Sequence, residues 1–412
     1  MKGDYAEFQK GWPPLLAASI GIGVGVTGIA NYSFGIVLNP LADAFGWSRT
    51  EISAAKTFQV FAIAGIAPLV GIVADRFGVR KLAIWSMVAF AITVASLSQM
   101  TANIWTYYLG SFMIAALGCG TTPLAWTRGV ATWFEKKRGL ALGIATTGSG
   151  IAGMIAPPFL GVLIVSYGWQ GAYYGMGAIA LLSLVIIVPC FYERGASKDK
   201  RDLEQKKLVF SGQELPEIIR SRQFWQIVTG FFLIGGVISA FNLHLVPMLT
   251  DSDIGLDRNT ALAIAGVQGV AIMLGRLGTG FLVDRFHPPY VAGVFLAIPA
   301  LGAALLTIGA LPIWAMVIAV IIFGLAAGSE IDLIPYLTAR FFGLKSYGKA
   351  YGLIYVIFYV GVGIGPVFYG KVFDVTGSYM LALYATIPLL LIGAGIIAAM
   401  GKPPVFESDL HH

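Results

Sequence analysis

Apolar positions along this chain fall in blocks of about 20 residues, divided by short clusters of charge, glycine and proline. At 1.5 Å rise per residue, such a block crosses a hydrocarbon core roughly 30 Å thick as a helix. The short alternating segments of a membrane β-barrel do not occur. Breaking the chain at charges and turn signals predicts twelve spans, near residues 13–39, 50–74, 82–100, 103–133, 139–166, 170–193, 226–249, 259–283, 289–309, 312–339, 350–372 and 378–400. One long polar stretch, ERGASKDKRDLEQKKLVFSGQELPEIIRSRQFWQ, separates the sixth span from the seventh. The expected architecture is an all-α membrane protein: a six-helix half over 1–193, a cytoplasmic linker over 194–225 and a second six-helix half over 226–412.

Composition agrees with the pattern. The 412 residues are 57% hydrophobic and 12% charged, against about 25% charged in soluble domains. The net charge of +6 would suit nucleic acid if it were clustered on a soluble face, but its placement says otherwise. Of 27 basic residues, Arg49, Arg258 and Lys371 fall in predicted outer loops and Lys56, Arg128 and Arg276 within spans. The other 21 lie on one side if both termini are cytoplasmic, which is the expected orientation in a bacterial inner membrane. Cys119 and Cys190 sit in apolar runs and imply no disulfide framework. The polar start MKGDYAEFQKGW precedes a run long enough to span, so no cleavable leader is expected. No metal, nucleotide or phosphate signature and no nucleophile–base constellation is visible. The chain is therefore expected to be no enzyme, to need no cofactor, and to work as a monomer in a lipid bilayer.

The halves repeat one another at an offset near 209 residues. FGWSRTE (45–51) returns as IGLDRNT (254–260), GIVADRF (71–77) as GFLVDRF (280–286), and RGLALG (138–143) as YGKAYG (347–352); Pro157 falls on Pro366. Several matches at one offset indicate a duplicated six-helix unit, two halves facing one another across a central path.

The stretch GIVADRFGVRK (71–81) resembles the loop signature of the major facilitator superfamily, and GFLVDRFHPP (280–289) is its weaker second copy. That resemblance implies secondary transport by alternating access. Within the superfamily, IMLGRLGTGFLVDR (272–285), YSFGIVLNPLADAFGWSRTEIS (32–53) and ATWFEKKRGLALG (131–143) are similar to the monocarboxylate transporter and oxalate:formate antiporter group. The likeness implies that Arg276 binds a substrate carboxylate. The chain departs from the group where Ile36 replaces a first-span lysine, where Ile272 replaces an acid, and in an eleventh span that lacks a cation. A dicarboxylate would call for two cations, so oxalate is disfavoured.

Intramembrane polar residues carry the remaining expectations, since charge at this depth is costly. Arg276 lies about 12 Å in from the end of its span. It is either a fork for a carboxylate or one side of a structural ion pair. Glu330 lies about 15 Å in, and Asp332 follows about 200° round the helix, so the two acids cannot share a face. Asp332 is preferred for the path and Glu330 for an interhelical partner, and at least one is expected to be the proton-coupling group; the alternative is a permanent salt bridge that holds spans four, eight and ten in register. Asn31, Tyr32, Tyr355 and Tyr359 are candidate substrate contacts or packing residues; Tyr351, near the loop, reads as an anchor. Asp75, Arg76, Arg80, Asp284 and Arg285 are candidate gating charges, with orientation signalling as the alternative. Arg128 could line an inner vestibule or pair with Asp332, and gating is preferred. His244 reads as packed or solvent-facing. The expected activity is proton-coupled movement of a small organic anion, a monocarboxylate. The rivals are an exporter of cationic or amphiphilic compounds and a non-transporting receptor.

Overall fold

In a computed structural model, residues 6–134, 138–192, 212–251, 253–283, 285–308, 311–343 and 345–404 are described, apart from the side chains at 6, 67–69, 71, 75 and 138. All regular structure among them is helical. Ten helices are long and apolar enough to cross a membrane. One of these, Arg138–Cys190, holds two spans turned at Gly168 (φ 71°, ψ −174°), and the charged 29-residue helix Arg49–Phe77 is a further span, so the twelve predicted spans are all present.

The chain forms two compact units, one of residues 1–195 with 242–270 and the other of 196–241 with 271–412. In the first unit, the opening span is broken. It runs as Ala6–Val24, leaves the α path at Gly25, forms a π turn over Val26–Ala30 with Gly28 non-helical (φ −100°, ψ −109°), and resumes as Asn31–Phe45. Val26 N–H, which loses its helical acceptor at the break, donates to Thr121 Oγ1 at 3.1 Å. The helix Arg138–Cys190 packs along it, and Pro123–Ala131, Arg49–Phe77 and Ile104–Gly118 also touch it.

The duplication is visible in backbone geometry. Gly46 (φ 69°) and Gly255 (φ 71°) are 209 residues apart, and each ends a turn in the left-handed region that favours glycine. Each N–H returns to a carbonyl four residues back, Ala42 at 2.8 Å and Asp251 at 2.6 Å. Two residues further on, both copies cap a helix. Ser48 Oγ accepts from Glu51 N–H (3.2 Å) while Glu51 Oε2 accepts from Ser48 N–H (2.8 Å), and Asp257 accepts from Thr260 N–H (3.0 Å). Gly168 (φ 71°) and Gly377 (φ 70°) form another pair at the same offset.

In the second unit, the linker's described end is pinned to the tenth span. Gln213 N–H donates to Phe342 O at 2.9 Å, and a six-residue helix, Leu215–Arg220, follows. Spans eight (Arg258–Val283, its part from 271 onward) and ten (Ile313–Phe342) meet through small residues. A Cβ on Gly275 would lie 2.1 Å from Leu325 O, and one on Gly328 would lie 2.0 Å from Ile272 O. Only hydrogen fits at these crossings, so the two backbones touch.

Candidate functional site

That glycine contact sets the position of the site. Arg276 follows Gly275 by one residue, and Asp332 follows Gly328 by one helical turn, so close backbones bring the two side chains together. Arg276 Nε lies 3.1 Å from Asp332 Oδ2. The Nε–H is not aligned on that oxygen, so the contact at this atom is an ion pair. The arginine side chain is 12% exposed and the aspartate 46%. Around the pair, spans eight and ten are fastened by hydroxyls. Ser329 Oγ donates to Leu325 O (2.8 Å) and approaches Gly275 O (3.3 Å), Thr279 and Ser329 bond through their hydroxyls, and Tyr336 OH donates to Val283 O at 3.1 Å.

Glu330 points elsewhere, as the 200° turn requires. It is 7% exposed, and its Oε2 has no hydrogen-bond partner among the described residues. Among the described residues, Asp332 is the acid beside an arginine. Glu330 is within electrostatic reach of Tyr359 on the eleventh span, and Asp332 of Tyr351 and Tyr355. The three tyrosines line up along Tyr347–Thr376, with Tyr351 and Tyr355 tilted at 5.2 Å between ring centroids and Tyr355 and Tyr359 edge-to-face at 4.7 Å. The Tyr355 and Tyr359 hydroxyls sit 3.1 Å apart. In this unit the structure thus gathers five predicted residues: Arg276, Asp332, Glu330, Tyr355 and Tyr359.

Asn31 and Tyr32, in the first unit, begin the helix after the break in span one. Tyr32 lies over Gly153, where an added Cβ would come within 2.9 Å of its ring. Asn31 Oδ1 accepts from Lys56 Nζ at 2.6 Å. His244 is fully buried and bonded to Ser53 Oγ at 3.1 Å, a packed histidine.

Among the predicted gating residues, Arg80 Nη2 donates to Val188 O at 2.9 Å, meeting a carbonyl near the end of the sixth span. Arg76 and Arg285 are exposed and lie over rings of their own helix ends, Phe77 at 5.3 Å and Phe281 at 3.8 Å. Arg128 is exposed in the last turn of Pro123–Ala131. Asp284 and the Asp75 side chain lie outside the described residues.

Two features escaped the sequence reading. Lys56 entered it only as a charge within a span, although any intramembrane lysine marks a possible site. The Arg49–Asp251 pair (2.5 Å) went unseen too, although Arg49 is one of few cations in the predicted outer loops and stands inside the FGWSRTE repeat. No group of three metal-ligating side chains occurs among the described residues.

Comparison with known proteins places this arrangement. The model of the Major Facilitator Superfamily matches residues 20–366, and the chain belongs to that family. It is 26% identical to mouse monocarboxylate transporter 11 over 97% of this chain and 89% of that protein. It is also 26% identical to the agnestins efflux protein of Paecilomyces divaricatus, over 90% of this chain and 83% of that one. In fold it is similar to the crystal structure of the nucleoside transporter NupG, with TM-score 0.72 at 14% identity, covering 94% of this chain and all of that one. It is a multi-pass membrane transporter of this superfamily and not an enzyme.

Proposed function

We propose that this transporter carries a small organic anion, a monocarboxylate, together with a proton. The observation behind this reading is the Arg276–Asp332 ion pair at the glycine crossing of spans eight and ten. A guanidinium inside a membrane span stays charged and requires an anion. Asp332, nearly half exposed, is the resident anion that an arriving carboxylate can replace. Once displaced, the Asp332 carboxylate loses its counter-charge and takes a proton, so substrate and proton load together. Glu330, buried and with no partner for Oε2 among the described residues, is the other proton-carrying candidate. Tyr355 and Tyr359 give the substrate's non-acidic part an aromatic wall and hydroxyl donors; Asn31 and Tyr32 are the first unit's own candidates for substrate contact.

In this proposal, the halves 1–193 and 226–412, joined by the 194–225 linker, alternate access. Asp75, Arg76, Arg80, Arg128, Asp284 and Arg285 hold or release the gate. Both termini are cytoplasmic, and the monomer works in a bacterial inner membrane. Relatives named as monocarboxylate transporters support the anion. A second reading, export of an amphiphilic compound, is favoured by the buried Glu330 and by relatives named as efflux proteins. Uptake of labelled lactate into proteoliposomes, with and without an inward proton gradient, separates the two. Gradient-driven accumulation that Arg276→Ala abolishes supports the first; efflux of a lipophilic cation with no response to carboxylates replaces it with the second.

A further inference from the structure

The break in span one lies beside a buried lysine that no part of the transport reading uses. Lys56 is 7% exposed. Its Nζ donates to Asn31 Oδ1 at 2.6 Å and to Gln59 Oε1 at 2.7 Å, and it sits 5.2 Å from the centroid of the Phe34 ring. An ammonium carries three donors, and here two of them meet neutral amide oxygens while a ring face supports the charge. Lys56 forms no ion pair among the described residues. A buried cation surrounded only by dipoles is costly, and an anion beside it would relieve that cost.

The neighbouring amide adds a direction. With its oxygen on the amine, Asn31 leaves its NH2 group as a donor, and that group has no acceptor among the described residues. The third ammonium N–H and the Asn31 NH2 thus make two adjacent donors and one positive charge, which matches a carboxylate's two oxygens and single negative charge. Asn31 is also the first residue after the π turn, and interruptions of this kind mark binding positions in membrane transporters.

We propose that Lys56, Asn31 and Gln59 form an anion-binding position in the first unit whose ligand is a carboxylate. It lies on a different unit from Arg276, and it rests on the proposed function only for the class of its ligand.

The test is calorimetric titration of the purified full chain with L-lactate and with succinate, using wild type, Lys56→Gln, Lys56→Arg and Arg276→Ala. Lys56→Gln is expected to weaken carboxylate binding about tenfold or more, and Lys56→Arg to keep most of it. If Lys56→Gln binds as wild type while Arg276→Ala does not, Lys56 is a structural amine and the proposal falls, leaving the transport reading intact. If wild type binds neither acid, the transport reading and the ligand class fall together. Should Lys56→Gln fail to elute as a folded monomer, Asn31→Leu takes its place: weakened binding supports the site, and unchanged binding overturns it.

Discussion

Arg49 and Asp251, 202 residues apart, hold each other through two parallel hydrogen bonds, Nη1 to Oδ2 at 2.5 Å and Nη2 to Oδ1 at 2.8 Å. The side chains are only 11% and 15% exposed, so this fork-to-fork pair is largely shielded from solvent. It ties the start of the second span to the end of the helix Arg222–Thr250, inside the first compact unit. Removing one partner strands the other charge. Arg49→Ala is therefore expected to lower stability by about 3 kcal/mol, and the double variant Arg49→Met with Asp251→Leu to regain most of it. Melting of the purified protein in detergent reads both values; an Arg49→Ala protein that melts with wild type would show that the pair contributes nothing.

The crossing of spans eight and ten predicts a steric effect at a position without any side chain. A methyl at Gly328 would stand 2.0 Å from Ile272 O and 3.0 Å from Arg276 N, so Gly328→Ala has to push the helices apart. The expected cost is about 2 kcal/mol in stability. A larger loss is expected in uptake, because Arg276 and Asp332 separate as the helices part. Gly352 has open space around its Cβ position and serves as the control: Gly352→Ala should leave uptake unchanged.

The two acids of span ten should separate in function. Asp332→Asn is expected to bind a carboxylate at least as well as wild type, since Arg276 loses its competing anion, yet to accumulate substrate poorly in response to a proton gradient. Glu330→Gln is expected to leave the Arg276 environment unchanged. If Glu330→Gln rather than Asp332→Asn removes the gradient response in proteoliposome uptake, the proton belongs to Glu330.

One pH effect lies outside the membrane. Glu214 Oε1 and Lys345 Nζ are 2.9 Å apart on exposed ground. The hydrogen bond from Lys345 holds the Glu214 carboxyl below its ordinary value, and the same bond raises Lys345 above its own. A lowered acid adds stability above its unfolded pKa and loses it as pH falls through the folded one. A raised base adds stability below its unfolded pKa and loses it as pH rises through the folded one. The contribution is thus present between the acid and alkaline limbs. Melting temperatures of wild type and Lys345→Ala should converge at both extremes and differ, slightly, in between, with the gap closing in high salt.

The spans, the repeat and the divergence of Glu330 from Asp332 were all legible, because each follows from period, length and helical angle. The duplicated turns at Gly46 and Gly255 could be read for the same reason, since a local motif carries its own geometry. Which neighbour each acid would face could not be read. Helical angle fixes that two side chains diverge but not which helix packs on either side, and that depends on the glycine contact between spans eight and ten. Lys56 was obscured in another way. Its partners Asn31 and Gln59 are individually unremarkable polar residues, and only the fold of span one against span two turns them into a cage.

The π turn at Val26–Ala30 also has a consequence for register. A π turn holds one residue more than the α turn it replaces. Deleting a single residue there would restore an α turn that covers about the same rotation with one residue fewer, so Asn31 would keep its setting toward Lys56 and Tyr32 its place over Gly153. What the deletion would remove is the interruption itself, and with it the backbone N–H that Val26 offers to Thr121 Oγ1. The extra residue works as slack in the ladder: it opens the backbone locally while the rest of the span holds its angle.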